Sequence, residues 1–294
     1  MRRAVLIYNP VAGRQRAARQ LMPLLTALRE AGFKAEPTPT AGPGDATRLA
    51  AKAAEDGTVE AVFTYGGDGT LREAAVGLLG TEVPLCPLAG GTTNVVVRAL
   101  GLPLRPLTGA RRAGTLVRRR MDVGRCADKP FLMMASSGLD ASVLNRQDAE
   151  LKARYGRASV LVQGVGEWWT YDYAPVVVEA DGRTFEASFA ALCNLPLYGG
   201  TFRLAPSARP DDGRLELVLF HGKTRAATLA FALAVARGSH VRRADVQVVS
   251  VEEAVFAGPE GLPIQVDGDP VVATAPVRID VGPERLWVLA PPDA

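Results

Sequence analysis

Tyr65-Gly66-Gly67-Asp68-Gly69-Thr70-Leu71 follows an apolar run, Ala61 to Tyr65, and precedes a helical pattern near Leu71 to Leu79. A buried strand, a glycine turn and a helix in that order make half of a parallel α/β unit. In open sheets of this kind, ligands bind beyond the carboxyl ends of the strands. A helix N-terminus there offers unpaired N–H groups and a partial positive charge, which suit phosphate. Glycine lets the backbone approach the phosphate oxygens. The same residues also read as a plain tight turn with Asp68 or Thr70 as the helix N-cap. One such turn does not decide between the two.

The neighbouring sequence repeats the pattern. Ala4 to Tyr8 reads as a buried strand ending at Asn9-Pro10-Val11-Ala12-Gly13. Gln15 to Ala31 is helical, with Leu21, Leu24, Leu25 and Leu28 on one face and Gly32 as the stop. Lys34 to Pro39 is extended, and Asp45 caps a helix running to about Asp56. Val83 to Leu88 is a further strand. It leads through Gly90-Gly91-Thr92-Thr93-Asn94 into a helix near Asn94 to Leu100. Three turns on one sheet edge could converge on a single polyphosphate.

After about Arg120 the texture changes. Phe131 to Ala135, Val176 to Glu179, Phe185 to Leu192 and Leu215 to Phe220 read as strands, separated by turns such as Asp181-Gly182 and Asp212-Gly213. Only Leu151 to Trp169 and Ala226 to Ala236 look helical. The expected fold is therefore an α/β nucleotide domain, 1–122, followed by a predominantly antiparallel β domain, 123–283, with the boundary near Met121 to Gly124. The last strand, Arg285 to Ala290, fits either domain, so 284–294 could complete the first.

The chain has 294 residues, 48% hydrophobic and 22% charged, with a formal net charge of +3. That suits a sizeable core and gives no case for nucleic acid as a partner. Arg111, Arg112 and Arg118 to Arg120 form either a solvated face or a patch for anionic phosphates or membrane. Cys86, Cys126 and Cys193 are scattered and have no metal-ligand spacing, which points to a reducing, cytoplasmic compartment. The opening MRRAVLIYNPVAG reads as a first strand rather than a signal peptide. No apolar stretch has the length of a membrane span. There is no GxxxxGK[ST], no GxGxxG after the first strand and no GxSxG. His221 and His240 read as surface or satisfied residues, which leaves no basis for catalytic zinc.

Gly66-Gly67-Asp68-Gly69-Thr70 resembles the nucleotide signature shared by diacylglycerol, sphingosine and NAD kinases. Asn9-Pro10-Val11-Ala12-Gly13 resembles the NPxxG opening of the lipid branch. Thr40 through Gly44-Asp45-Ala46 resembles its T…GDA segment, and Gly91-Thr92-Thr93-Asn94 with Arg98 its GTxN…R turn. Gly138-Leu139-Asp140-Ala141 resembles GxDA. Asn194 through Tyr198-Gly199-Gly200 to Pro206, then Asp212-Gly213, resembles N…GGG…P…DG. Val266-Asp267-Gly268-Asp269-Pro270 resembles the late DGE motif. These matches run in order through most of the chain.

The resemblance implies an ATP-dependent lipid kinase with an α/β nucleotide domain and a β-sandwich domain. It implies nucleotide contacts from Asn9, Pro10, Val11, Ala12, Gly13, Thr40, Gly66, Gly67, Asp68, Gly69, Thr70, Leu71, Arg72, Gly91, Thr92 and Asn94. Asp269 stands at the position of the family's catalytic acid, with Asp267 and Asp68 as further candidates. Without the resemblance, Asp267-Gly268 reads as a hairpin turn. Mg2+ is expected with ATP, and again at a structural site formed by the Asp212 side chain and the carbonyls of Arg209 and Arg214. The implied partners are a lipid substrate and a transiently contacted membrane surface, with a homodimer left open. Diacylglycerol leads as acceptor, ahead of phosphatidylglycerol, sphingoid bases and an undecaprenol-like alcohol. An NAD kinase and a non-catalytic binding module are the alternatives. The chain departs from the family pattern at Val95, Ala89, Thr201 and Asp269, where an acid, a proline, a glycine and a glutamate are usual. Trp168, Trp169, Tyr171 and Tyr173 read as helix-end packing or as a membrane-interface cluster.

Overall fold

Nearly every residue of Ala61–Gly66 and Leu85–Ala89 is apolar, and all are buried, the mark of parallel strands covered on both faces. They are β3 and β4 of a computed structural model that describes residues 1–11, 17–146, 166–271 and 275–292. Ala12, Gly13 and most of the helix expected over Leu151 to Trp169 lie outside the described residues. Two units are distinguished: Met1–Val123 with Gly199–Thr201 and Pro283–Ala294, and Gly124–Tyr198 with Phe202–Gly282.

The first unit alternates β1 (Arg2–Tyr8), α1 (Ala17–Glu30), β2 (Phe33–Pro39), α2 (Asp45–Glu55), β3, α3 (Asp68–Leu78), β4, α4 (Val95–Ala99), α5 (Pro106–Arg112) and β5 (Val117–Met121). The last strand of the chain, β20 (Leu286–Ala290), enters the same sheet, whose order is β2-β1-β3-β4-β20-β5. β1 to β4 run parallel, and β20 runs parallel to β4 and antiparallel to β5. Leu24, Ala27 and Leu28 of α1 enter the core with Phe33 and Phe63, whose rings meet edge to face at 4.9 Å. Helices α2 and α3 come together at Gly77, where a Cβ would lie 2.2 Å from the Thr47 carbonyl oxygen.

Asp45 is not the cap of α2. That position belongs to Gly44, whose φ of 80° turns the chain into the helix. The Asp45 carboxylate instead accepts the Ala41 N–H at 2.8 Å and pairs with Arg48, closing the preceding loop. Arg118 to Arg120 lie on β5, an edge strand, where positive charge discourages pairing with another chain. Arg118 donates to the Glu82 carbonyl at 2.8 Å and its guanidinium lies over Trp287 at 4.3 Å.

The second unit contains β6 (Gly124–Cys126), β7 (Lys129–Phe131), β8 (Met134–Ser137), α6 (Leu139–Asn145), β9 (Val176–Ala180), β10 (Arg183–Ala187) and β11 (Phe189–Cys193). It continues with β12 (Leu197–Tyr198), β13 (Phe202–Arg203), β14 (Leu215–Phe220), α7 (Arg225–Ala236), β15 (Val246–Val251) and β16 (Glu253–Ala257). β17 (Ile264–Val266), β18 (Asp269–Val271) and β19 (Val277–Val281) complete it. Two antiparallel sheets, β10-β9-β16-β19-β6-β7 and β15-β14-β11-β8-β17-β18, share one core that includes Phe131, Leu192, Leu217, Phe256 and Ile279. The β12-β13 hairpin stands apart.

Three expectations change here. Phe185 to Leu192 is two strands in two different sheets, divided at Ser188. The Ser188 hydroxyl donates to the carbonyls of Phe220 and Gly222, so the chain is held by side chain where it changes sheet. Phe131 to Ala135 is also divided, at Leu132-Met133. Leu139–Asn145 is helical, although its few residues carry no periodic signal long enough to read. The Asp181-Gly182 turn has φ of 50° and 70°, as a two-residue hairpin loop requires. Among the described residues, no helix is long and apolar enough to cross a membrane.

Candidate active site

The strand order of the first sheet creates the site. From β1 the chain crosses to β2 on one side, then returns to β3 on the other. The carboxyl ends of β1 and β3 therefore flank the point where the winding reverses, the usual ligand crevice of an open α/β sheet. In register, Tyr8 stands beside Tyr65 and beside Pro39, and Gly66 beside Ala89. The segments after Tyr8, Pro39, Gly66 and Ala89 thus leave the sheet from one edge. They contain Asn9, Thr40, Gly67 and Gly91.

Each turn is held by its own bonds. The Asn9 side chain accepts the Val11 N–H at 3.0 Å, and the Asn9 N–H donates to the Tyr65 carbonyl at 3.1 Å. The Thr40 N–H donates to the Tyr8 carbonyl at 2.9 Å. The two glycine turns touch backbone to backbone: a Cβ on Gly91 would lie 2.5 Å from the Gly67 Cα, and one on Gly90 would lie 2.8 Å from the Gly66 nitrogen. Glycine is required there by packing between turns, whether or not a ligand is present. A Cβ on Gly69 would meet nothing within 4 Å.

Gly67, not Asp68 or Thr70, is the N-cap of α3, and no side chain caps that helix. Asp68 is its first residue and reaches sideways: its Oδ1 accepts the Val95 N–H at 2.8 Å, tying one glycine turn to the other. The Asn94 amide bonds both backbone groups of Gly91 at 2.9 Å, which fixes the second turn around a residue with φ of 50°. Arg98 braces it through the Thr93 carbonyl at 2.9 Å. Leu71 is buried, and its N–H donates to the Gly67 carbonyl at 3.1 Å. The N–H groups ahead of it, in the first turn of α3, have no intrahelical partner.

In the second unit, Asp267-Gly268 joins β17 to β18 with φ of 50° and 90°, and Asp269 opens β18 as a half-buried residue. The Asp267 carboxylate accepts three backbone N–H groups, from Leu132 at 2.8 Å, Met133 at 2.9 Å and Met134 at 3.0 Å. These bonds account for the break between β7 and β8, because the chain curls around the carboxylate there. Asp267 is thus a structural pin.

Behind this turn lies a polar chain whose side chains are not among the expected site residues. The Gly268 N–H donates to Gln265 Oε1 at 2.8 Å, Gln265 Nε2 to Ser136 Oγ at 2.6 Å, and Ser136 Oγ to Asp140 Oδ2 at 2.6 Å. Tyr198 also reaches Asp140, at 3.4 Å. Burial pushes the Asp140 carboxyl above its ordinary range, against the opposing pull of Ser136, the Ala141 N–H, Gln265 and Tyr198. The Gly138 to Ala141 motif was the available signal, but nothing in the sequence linked it to Gln265.

Asp212 is exposed, and its Oδ1 accepts the Arg214 N–H at 3.0 Å. The Arg214 guanidinium turns away to Ser250 and Glu252. No group of three or more His, Cys, Asp and Glu is gathered for a metal among the described residues. One carboxylate with main-chain carbonyls is nevertheless an all-oxygen donor set, which suits Mg2+ with water completing its shell. Cys86 and Cys126 are buried, which raises each thiol to about 12, so neither is a nucleophile. His240 is buried, with Nε2 against the Leu204 carbonyl at 2.8 Å but Nδ1 without a hydrogen-bond partner among the described residues, so it is a core residue only half satisfied.

Residues 3–126 match the family model described as the diacylglycerol kinase catalytic domain. Residues 133–290 match that described as the YegS C-terminal NAD kinase beta sandwich-like domain. The chain is 28% identical over 278 residues to the diacylglycerol kinase of Bacillus subtilis, covering 92% of this chain and 90% of the relative. It is 33% identical over 286 residues to a Pseudomonas aeruginosa protein named Probable lipid kinase YegS-like, covering 95% and 92%. A crystal structure from Bacillus anthracis, provisionally assigned as a diacylglycerol kinase, shares the fold with a TM-score of 0.83. It is 24% identical and covers 99% of this chain and 96% of that one.

Proposed function

This chain belongs to the diacylglycerol kinase catalytic domain family and is a lipid kinase, and from that premise we propose that it transfers the γ-phosphoryl group of ATP to the free hydroxyl of a diacylglycerol-like lipid. The observation that carries this reading is the gathering of the Asn9, Thr40, Gly67 and Gly91 segments at the carboxyl edge of adjacent parallel strands, around a winding reversal. Phosphoryl transfer asks the protein for alignment and charge stabilisation more than for covalent chemistry.

In this reading, Asn9, Pro10, Val11, Thr40, Gly91 and Thr92 surround the nucleotide. Gly66 to Arg72 present the first turn of α3 to its phosphates. Asp68 orders the site from within, because its carboxylate fixes the two glycine turns to each other. Asp269 accepts the proton of the lipid hydroxyl as that oxygen bonds to the γ-phosphorus. The bond from the γ-phosphorus to the β–γ bridging oxygen breaks, and ADP leaves. Asp267 holds the turn from which Asp269 projects. Mg2+ bound with ATP supplies charge neutralisation on the phosphate oxygens, and Asp212 with the carbonyls of Arg209 and Arg214 would hold a second ion. The first unit serves the nucleotide and the second the lipid.

The test is transfer of labelled γ-phosphate from Mg-ATP to lipids in mixed micelles, with NAD as a separate acceptor, for the wild type and Asp269→Ala. Labelled diacylglycerol is expected, with a loss of about a hundredfold or more in the variant. Full activity in Asp269→Ala would remove Asp269 from the proton-transfer step. Label on NAD alone would replace the lipid acceptor.

A further inference from the structure

Helix α7 is apolar on the wrong side. Its inner face packs normally: Phe231 stacks on Phe220 at 4.4 Å, and Ala234 and Val235 are buried. Its outer face, which should be charged in a helix facing water, carries Ala226, Leu229, Ala232, Leu233 and Ala236. Leu229 is 51% exposed and Leu233 45%. From Ala226 to Ala236 there is no charged residue, and the single polar one, Thr228, bonds the Thr224 carbonyl at 3.0 Å within the helix.

The ends of this face are basic and aromatic. At the N-terminus the Arg225 guanidinium lies over the Trp169 ring at 4.8 Å, and Trp169 is 62% exposed. The Trp168 indole N–H donates to the Arg225 carbonyl at 3.3 Å, which anchors the pair to the helix. Past the C-terminus come Arg237, Val241, which is 41% exposed, and Arg242. Neither Arg237 nor Arg242 has an ion-pair partner among the described residues. Exposed leucines, with an indole at one end and arginines without an ion-pair partner at the other, combine burial in an apolar layer with attraction to anionic headgroups. A self-complementary protein contact would gain nothing from bringing these arginines together.

We propose that the outer face of α7, with Trp169 at one end and Arg237 and Arg242 at the other, docks onto an anionic lipid bilayer. The helix would lie along the membrane plane over about 18 Å. The choice of occupant rests on the reading of this chain as acting on a membrane-borne acceptor. The geometry of the face does not.

The test is co-sedimentation of the full chain with phosphatidylglycerol vesicles and with phosphatidylcholine vesicles. The proteins are the wild type, Leu229→Asp/Leu233→Asp, Arg237→Gln and Arg242→Gln. Analytical ultracentrifugation and thermal melts are run on each. The wild type should prefer the anionic vesicles. The double leucine variant should bind them about tenfold or more weakly, and each arginine variant about fivefold more weakly at low salt. Melts should match the wild type, since these side chains are exposed. Phosphorylation of detergent-dispersed acceptor should persist in all variants. Unchanged vesicle binding in the leucine and arginine variants overturns the proposal. So does a shift from dimer to monomer in the leucine variant with vesicle binding intact, which would make a second copy the occupant. If the wild type phosphorylates no lipid yet shows the vesicle pattern, the acceptor assignment fails and the docking face stands.

Discussion

The Oδ1 of Asp68 accepts the backbone N–H of Val95 at 2.8 Å, so the acid of one glycine turn is the fastener of the other. Val95 is buried, and removing its acceptor strands a donor away from water, at a cost of about 1–3 kcal/mol. Asp68→Ala should therefore lose both stability and activity. Asp68→Asn keeps an acceptor oxygen for the Val95 N–H and should both melt and turn over near the wild type. Thermal melts beside turnover separate the two. Equal destabilisation in both variants would show that charge, not the acceptor, holds the turns together.

Gly91→Ala places a Cβ against the Gly67 backbone, which has no side chain to move aside. The turns must part, at a cost of about 1–3 kcal/mol. Gly69→Ala meets nothing and should leave the melting temperature unchanged. If phosphates approach the first turn of α3, Gly69→Ala should still weaken ATP binding. Calorimetric titration with ATP reads this directly, and unaltered affinity in Gly69→Ala would move the phosphates elsewhere.

Asp267→Ala releases the N–H groups of Leu132, Met133 and Met134 together. Bonds to a charged acceptor contribute about 1.5–3 kcal/mol each and do not add, so a total loss of about 3 kcal/mol is expected. Urea unfolding measures it. A loss under 1 kcal/mol, with activity abolished, would instead return Asp267 to the chemistry.

Much of the architecture was legible because its signals were local. The apolar run ending at Tyr65 and the glycines after it needed no partner to be read. The failures share one cause, a side chain acting across distance in sequence. Ser188 splits an apolar run by bonding Phe220 and Gly222, and Asp267 splits another from more than a hundred residues away. Asp45 has the position and chemistry of a cap, but the loop before it uses its carboxylate. The polar chain from Gly268 to Asp140 passes through Gln265 and Ser136, neither of which belongs to a readable motif.

That chain sets a pH dependence. Burial keeps Asp140 protonated to higher pH in the folded protein than in the unfolded chain. Between those two values the native state binds more protons. The stability this group contributes is therefore complete below the unfolded value and lost as pH rises through the native one. Asp140→Asn has no such titration. Its stability relative to the wild type should improve from acid to neutral pH, as followed by urea midpoints. A difference that stays constant with pH would mean that Asp140 does not titrate differently on folding.

The strand Leu286–Ala290 sits between β4 and β5 and pairs with both, although β4 and β5 are made within the first half of the chain. On a ribosome, the sheet that bears the glycine turns therefore waits, with a gap in its middle, until the residues of the second unit have emerged as well. A truncated product cannot close that gap, so chains that stop early should be left with an open strand edge and be recognised as unfinished rather than persist as working halves.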